Sequence, residues 1–407
     1  MSMLRWFRVR WFRVLGIFLA CGLAVACGGS SSHTDTATTP VTTPSGQNVA
    51  PISVNSGPNG NYVDAAFASV TVCVPGTSNC QTIDDVLVDT GSFGLRILSS
   101  ALTLSLPQQD SSAGDPVVEC LPFLSTYTWG PVQGADVEMA GEKGSSVPVQ
   151  VINNNFAVPK GCSDLGLSPA NTVQTLGANG ILGIGLYAQD CGPACTQTGS
   201  SNPGLYYGCP SSGCQVIAEP LAQQVQNPVS LFSSDNNGVV IELPAAPNPE
   251  PSLSGSLIFG IGTESNNALG PAKIYVPDDY GNFTATYKGV AYSTSFIDSG
   301  SNGYFFLDAT TTGIPDCTNQ MGFYCPVSTQ SVTATTEGTN GVSGTVNFSV
   351  ANANALFANA SDFVFNDLGG PASNNFDFGL PFFFGRDVFV AIENDSTPGG
   401  TGPYWAY

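Results

Sequence analysis

Two stretches of this chain read alike: Val86-Leu87-Val88-Asp89-Thr90-Gly91-Ser92-Phe93-Gly94-Leu95-Arg96-Ile97-Leu98 and Ser295-Phe296-Ile297-Asp298-Ser299-Gly300-Ser301-Asn302-Gly303-Tyr304-Phe305-Phe306-Leu307. They align without a gap over Asp, Gly, Ser, Gly and the final Leu. In each, an apolar, strand-forming run enters a polar turn, Asp-(Thr/Ser)-Gly-Ser, and a second apolar run leaves it. The copies stand about half a chain apart, which predicts a duplicated lobe. A second marker repeats in the same order. Ile181-Leu182-Gly183 and Phe383-Phe384-Gly385 lie in apolar segments, each about ninety residues beyond its aspartate. One Asp-Thr-Gly suits any polar turn that ends a strand. Two copies, each followed by an apolar-apolar-Gly strand, point to one architecture built twice.

Composition agrees with a β protein. The chain has 407 residues, with Gly 47 and Pro 29, 42% hydrophobic residues and 10% charged ones. That is turn-rich, and apolar enough for a large two-lobed unit. Lys and Arg total 10 against 30 Asp and Glu. So acidic a surface repels nucleic acid and anionic lipid, and neither is expected as a partner. It favours solubility. It also leaves few cations to repel one another once the carboxylates are protonated.

Four of the bases, Arg5, Arg8, Arg10 and Arg13, open the chain, and residues 1–27 hold no acid. The apolar run at 14–26 is shorter than the roughly 20 residues needed to span a bilayer and suits a signal-peptide core. It ends Leu23-Ala24-Val25-Ala26-Cys27-Gly28-Gly29-Ser30, which resembles a bacterial lipobox with Cys27 as the lipidated residue and Cys21 as the runner-up. Residues 28–55, rich in Gly, Ser, Thr and Pro, read as a flexible tether. The expectation is a lipoprotein signal peptide over 1–27, export, and an anchor in the cell envelope. By analogy with other lipoproteins the anchor is in the outer membrane of a Gram-negative cell, on its periplasmic or its surface face. Ordinary signal cleavage and secretion is the alternative.

Ten further cysteines, an even number, predict disulfides in an oxidising compartment. Cys73 with Cys80 and Cys317 with Cys325 close short loops, and Cys120 with Cys162 follows by elimination. Cys191, Cys195, Cys209 and Cys214 allow three pairings, or a four-cysteine zinc site.

The one histidine, His33, lies in the tether. A Ser-His-Asp or Cys-His mechanism needs a histidine held by packed neighbours, and a histidine zinc site needs the same. No phosphate loop and no dinucleotide fingerprint is present. No cofactor or metal is expected. Any acid–base chemistry then falls to carboxylates, tyrosine or the few lysines.

From about residue 61 to 407 the chain resembles the pepsin-like aspartic peptidases. The two Asp turns and their downstream Gly strands carry the likeness. Gly255-Ser256-Leu257-Ile258-Phe259-Gly260-Ile261-Gly262 and Pro228-Val229-Ser230-Leu231-Phe232-Ser233 resemble the segments that close the first lobe. Tyr127-Thr128-Trp129-Gly130, with Gly134, resembles the flap hairpin.

The resemblance implies a mostly β, bilobal pepsin-like fold with a cleft between two duplicated β-barrel-like lobes. The lobes would span 56–268, with a cysteine-rich insertion at 187–216, and 269–407. It implies a monomer that takes a peptide or protein substrate in the cleft and touches the membrane only through its anchor. Asp89 and Asp298 would be catalytic. Gly91 and Gly300 would form the tight turns, Thr90 and Ser299 would cross-link them, and Ser92 and Ser301 would orient the carboxylates. Tyr127 would close over substrate, and Gly183 and Gly385 would brace the turns. The implied activity is that of an aspartic endopeptidase. A catalytically silent binding protein, an inhibitor or adhesin on the same scaffold, is the alternative.

Two positions depart from the family pattern. Arg96 stands where the family often has a Trp that supports the flap tyrosine; either Trp129 takes that role or the flap works differently. Arg96 itself reads as a surface ion pair or a contact for an acidic substrate group. Arg386 follows Gly385 as an apparent insertion.

Overall fold

A computed structural model describes residues 46–407. The signal peptide over 1–27, the lipidation at Cys27 and the tether up to residue 45 lie outside the described residues. The tether expected over 28–55 gives way within that span to strand β1 (Val49–Val54), fully paired with a later strand. Its alternating buried residues, Ala50, Ile52 and Val54, were masked as strand by Pro51 and the flanking Ser, Gly and Asn.

The first lobe follows with β2 (Ala66–Cys73), β3 (Cys80–Asp89), β4 (Phe93–Leu98), β5 (Val117–Pro122), β6 (Thr126–Met139), β7 (Glu142–Ile152) and β8 (Gly180–Ile184). Then come β9 (Tyr206–Gly208), β10 (Gly238–Leu243) and β11 (Leu253–Phe259). The order across the sheet is β9-β5-β6-β7-β4-β8-β3-β2-β1-β11-β10. The end of β3, Val86 to Asp89, is buried on both faces, as is all of β8. That is why these strands read as continuous apolar runs rather than as alternation.

The second lobe contains β12 (Ile274–Tyr275), β13 (Phe283–Tyr287), β14 (Val290–Ile297), β15 (Tyr304–Phe306), β16 (Gln330–Glu337) and β17 (Ser343–Val350). It ends with β18 (Gly369–Gly370), β19 (Phe376–Phe378), β20 (Arg386–Ala391) and β21 (Tyr404–Ala406). Its own sheet runs β17-β16-β13-β14-β19-β15-β18. Strand β16 alternates strictly, with Val332, Ala334 and Thr336 inward. This is the period-2 pattern of a half-buried strand. The β16–β17 hairpin turns through Thr339-Asn340-Gly341, closed by the Gly338 N–H on Val342 O, with Gly341 at φ +76°, the left-handed position that three-residue hairpin loops give to glycine.

The lobes are joined by a shared platform, β1-β11-β10-β20-β21-β12, in which β10 of the first lobe pairs along its whole length with β20 of the second. A second tie precedes β2. Asp64 donates its N–H to Phe363 O at 2.8 Å and accepts from Phe365 N–H at 2.7 Å.

The ten cysteines form five disulfides: Cys73–Cys80, Cys120–Cys162, Cys191–Cys195, Cys209–Cys214 and Cys317–Cys325. The cluster left open by the sequence is thus two local disulfides, not a zinc site. Four of the five loops close over eight residues or fewer. Cys120–Cys162, with a separation of 42, ties β5 to the segment after β7. Among the described residues no helix is long and apolar enough to cross a membrane.

Candidate active site

Each aspartate ends a strand that is braced by a threaded neighbour. In the first lobe β8 runs between β3, which it meets in parallel, and β4, which it meets antiparallel. Asp89 stands opposite Gly183. A Cβ on Gly183 would sit 2.6–2.8 Å from backbone atoms of Phe93 and Gly94, so only glycine lets the turn pack there. In the second lobe β19 runs between β14 and β15 in the same sense, with Ile297 opposite Phe378. The next pair in that register is Asp298 with Gly379, and a Cβ on Gly379 would meet Gly303 O at 2.2 Å and Ser301 O at 2.5 Å.

The second brace is therefore Phe378-Gly379, not Phe383-Phe384-Gly385. Gly385 instead takes φ +73° at the entry to β20, with its N–H on Leu243 O. Its apolar-apolar-Gly signature comes from a short, fully buried helical turn over Leu380–Phe383.

The two turns interlock. Thr90 N–H donates to Ser299 Oγ at 3.1 Å, and Ser299 N–H donates to Thr90 Oγ1 at 2.9 Å. Ser299 Oγ then donates to Val88 O at 2.7 Å. Within each turn the carboxylate accepts the N–H two residues on, Gly91 to Asp89 Oδ1 and Gly300 to Asp298 Oδ1, both at 2.8 Å. Each also accepts the serine hydroxyl three residues on, Ser92 to Asp89 Oδ2 at 2.5 Å and Ser301 to Asp298 Oδ2 at 2.8 Å. The glycines leave room for the opposite carboxyl: a Cβ on Gly91 would lie 2.6 Å from Asp298 Oδ1, and one on Gly300 2.7 Å from Asp89 Oδ1.

Asp89 and Asp298 are both buried, each carboxyl lying against the glycine of the other's turn. Burial, and then the neighbouring Asp298 charge, push Asp89 up to about 8, against the opposing pull of Ser92 and the Gly91 N–H. Two such carboxyls hold one proton between them.

Two further residues at this site carry no motif. Tyr62 packs edge-on against Phe67, with ring centroids 6.1 Å apart, and lies against Gly177. Burial, followed by the charges of Asp89 and Asp298, pushes its phenol up to about 12. Asp377, in the middle of β19, is buried, with its Oδ2 2.7 Å from Ser301 Oγ. Nothing in a single sequence marks Tyr62. Asp377 is signalled only as one acid inside the apolar run 376–384.

The hairpin β5–β6 turns at Phe123, Leu124 and Ser125, with Leu124 62% exposed. Tyr127 and Trp129 are not at its tip. Both rings belong to a satellite core with Val118, Cys120, Cys162, Tyr207 and Cys209, and Trp129 Nε1 donates to Phe156 O at 3.0 Å. The expected pairing of a cleft tyrosine with a supporting Trp129 is not what these residues form.

Arg96 is fully buried, not on the surface. Its Nη2 reaches Glu119 Oε1 at 2.7 Å and Asp190 Oδ2 at 2.8 Å, and Tyr206 OH donates to Asp190 Oδ1 at 2.6 Å. Glu119 belongs to β5, one arm of the β5–β6 hairpin. Asp190 and Tyr206 belong to the insertion at 187–216, whose β9 pairs with the outer edge of β5. The insertion thus extends the sheet at β5 and seals the arginine beneath it. Arg386 donates to Phe382 O and stacks over the Phe382 ring at 4.6 Å.

Fold and site together define a bilobal β protein of pepsin-like architecture with two interlocked Asp turns at its centre. The chain belongs to the family described as "Protein of unknown function (DUF3443)", whose model matches residues 44–407. A comparison with curated proteins returned no match. Among solved structures, the aspartic proteinase from Irpex lacteus is similar, with a TM-score of 0.53 and 14% identity. The match covers 88% of this chain and 96% of that one, so the likeness is one of overall fold and spans both lobes.

Proposed function

We propose that this chain is an aspartic endopeptidase anchored in the cell envelope. The observation that supports it best is the pairing of Asp89 and Asp298 on cross-linked turns, each carboxyl held by one N–H and one hydroxyl.

A water between the two carboxyls loses a proton to the ionised member and attacks the scissile carbonyl, while the protonated member donates to the carbonyl oxygen. The resulting diol collapses, and the proton gained from water passes to the leaving nitrogen. No covalent intermediate is needed, in keeping with a chain whose only histidine is His33. The peptide would lie extended between the lobes, below the β5–β6 hairpin. In this reading Cys27 carries the lipid, the protein acts as a monomer, and the membrane is the outer membrane.

The test is to incubate the purified full chain with a mixed peptide library from about pH 3 to about pH 7, beside Asp89→Asn and Asp298→Asn. Cleavage by the wild type alone supports the peptidase. Absence of cleavage at every pH in a folded sample overturns it and leaves a binding protein on the same scaffold. Membrane fractionation of the Cys27→Ser variant tests the anchor: release into the soluble fraction is expected, and retention overturns it.

A further inference from the structure

Ser301 has one hydroxyl hydrogen but two carboxyl oxygens within bonding distance, Asp298 Oδ2 at 2.8 Å and Asp377 Oδ2 at 2.7 Å. It can donate to only one of them. The other contact is a hydrogen bond only if that carboxyl brings its own proton and donates to Ser301 Oγ.

The environments decide which carboxyl does so. Asp298 also accepts the Gly300 N–H at 2.8 Å, which favours its charged form. Asp377 is 3% exposed, stands between Phe296 of β14 and Phe305 of β15, and its Oδ1 has no partner. A bare charge there is costly. The charged groups that act on Asp377 are Asp298 and Asp89, both acidic, so no cation offsets it. Burial first, then those two charges, push its carboxyl well above the ordinary range.

We propose that Asp377 is a permanently protonated third carboxyl that donates to Ser301 Oγ, and thereby commits the Ser301 hydrogen to Asp298. Asp377 is then a positioning residue. It acts through Ser301 to hold Asp298 as the ionised member of the pair, which leaves the shared proton on Asp89.

The first lobe has no such device. Its register places Ile181 opposite Leu87, where the second places Asp377 opposite Phe296. Ser92 has Asp89 as its carboxyl partner. The two-fold likeness of the turns is therefore broken two residues before each aspartate, and the break gives the two aspartates different roles. The assignment of roles rests on the peptidase reading. The protonation of Asp377 does not.

The experiment has two arms. In the first, the full chain carries aspartate labelled at the side-chain carboxyl carbon with ¹³C, and the Asp377 resonance is identified by its loss in Asp377→Asn. It is expected to keep the shift of a protonated acid through about pH 6, where exposed aspartates have ionised. Titration of that resonance near the usual value of about 4 overturns the proposal.

In the second arm, Asp377→Leu is expected to lower kcat about tenfold with KM unchanged, the worth of one oriented hydrogen bond. Asp377→Asn, whose amide still donates, is expected to restore it. Wild-type activity in Asp377→Leu, or an equal loss in both variants, overturns the positioning role. If the wild type cleaves no peptide, the peptidase reading fails and the first arm still decides the state of Asp377. Retained near-ultraviolet circular dichroism checks that both variants fold.

Discussion

Thr90 and Ser299 each give the other an N–H and take it on a hydroxyl, at 3.1 and 2.9 Å, across 209 residues of chain. These are buried bonds, so an orphaned partner cannot turn to water. Ser299→Ala removes the acceptor of the Thr90 N–H and the donor to Val88 O together. It is expected to cost about 1–3 kcal/mol in urea unfolding. Thr90→Ala should cost a similar amount. The double variant should cost less than the sum, because both single changes break the same net. Strict additivity would mean the two turns are not coupled.

The pH dependence of stability has a definite sign. Asp89 is raised from 3.8 to about 8, so across that window the folded chain holds a proton the unfolded chain has released. Stability contributed by this group is present below the unfolded value and is lost as pH rises through the folded one. Urea midpoints should therefore fall between about pH 4 and about pH 8. Asp89→Asn should reduce that slope by the share of one group, the raised Asp377 and Asp190 keeping theirs, while abolishing cleavage. Activity should decline over the alkaline end of the same window as the shared proton leaves. An activity maximum above about pH 8 would contradict the mechanism.

The Asp turns were legible because their chemistry is local. A strand, a carboxylate, a glycine and a serine fall within a few residues, twice. The braces were legible in kind but not in place. The run Phe376-Asp377-Phe378-Gly379-Leu380-Pro381-Phe382-Phe383-Phe384-Gly385 offers two apolar-Gly endings, and the buried Asp377 disguised the true one. Arg96 misled for a different reason. Its partners are 23 and 94 residues away, so nothing nearby in sequence marks it as neutralised. Tyr62 feels the charges of Asp89 and Asp298 from a packed position against Phe67 and Gly177, which no motif marks.

Substitution separates the two glycines cleanly. Gly379→Ala puts a methyl 2.2 Å from Gly303 O and 2.5 Å from Ser301 O, both backbone atoms of buried residues. Neither can yield, so the chain should fail to fold or lose more than about 3 kcal/mol. Gly385→Ala meets nothing nearer than the Ala245 Cβ at 3.2 Å, and its cost is chiefly the φ of +73°. About 1 kcal/mol is expected. Soluble yield and thermal unfolding of the pair read this directly. Equal tolerance of both changes would return the brace to Gly385.

The buried triad offers the last test, and its outcome is asymmetric. Arg96→Met leaves Glu119 and Asp190 facing each other with no cation, and should cost about 3–5 kcal/mol at neutral pH. Burial, then the Glu119 charge, already raise Asp190 well above its usual range, with Arg96 opposing them. Without Arg96 the two carboxyls should take up protons more readily. The penalty should therefore shrink as pH falls, the same sense as for any carboxylate that loses its cation. Arg96→Met with Glu119→Leu removes one acid along with the cation, and should recover most of the stability. Arg96 Nε and Glu119 Oε2 are in any case unpaired in the wild type. Because Glu119 lies on β5 and Asp190 on the insertion, the single variant should also speed amide exchange in β5 and β9 together. Loosening of β5 alone would show that the insertion is held by its disulfides and not by the arginine.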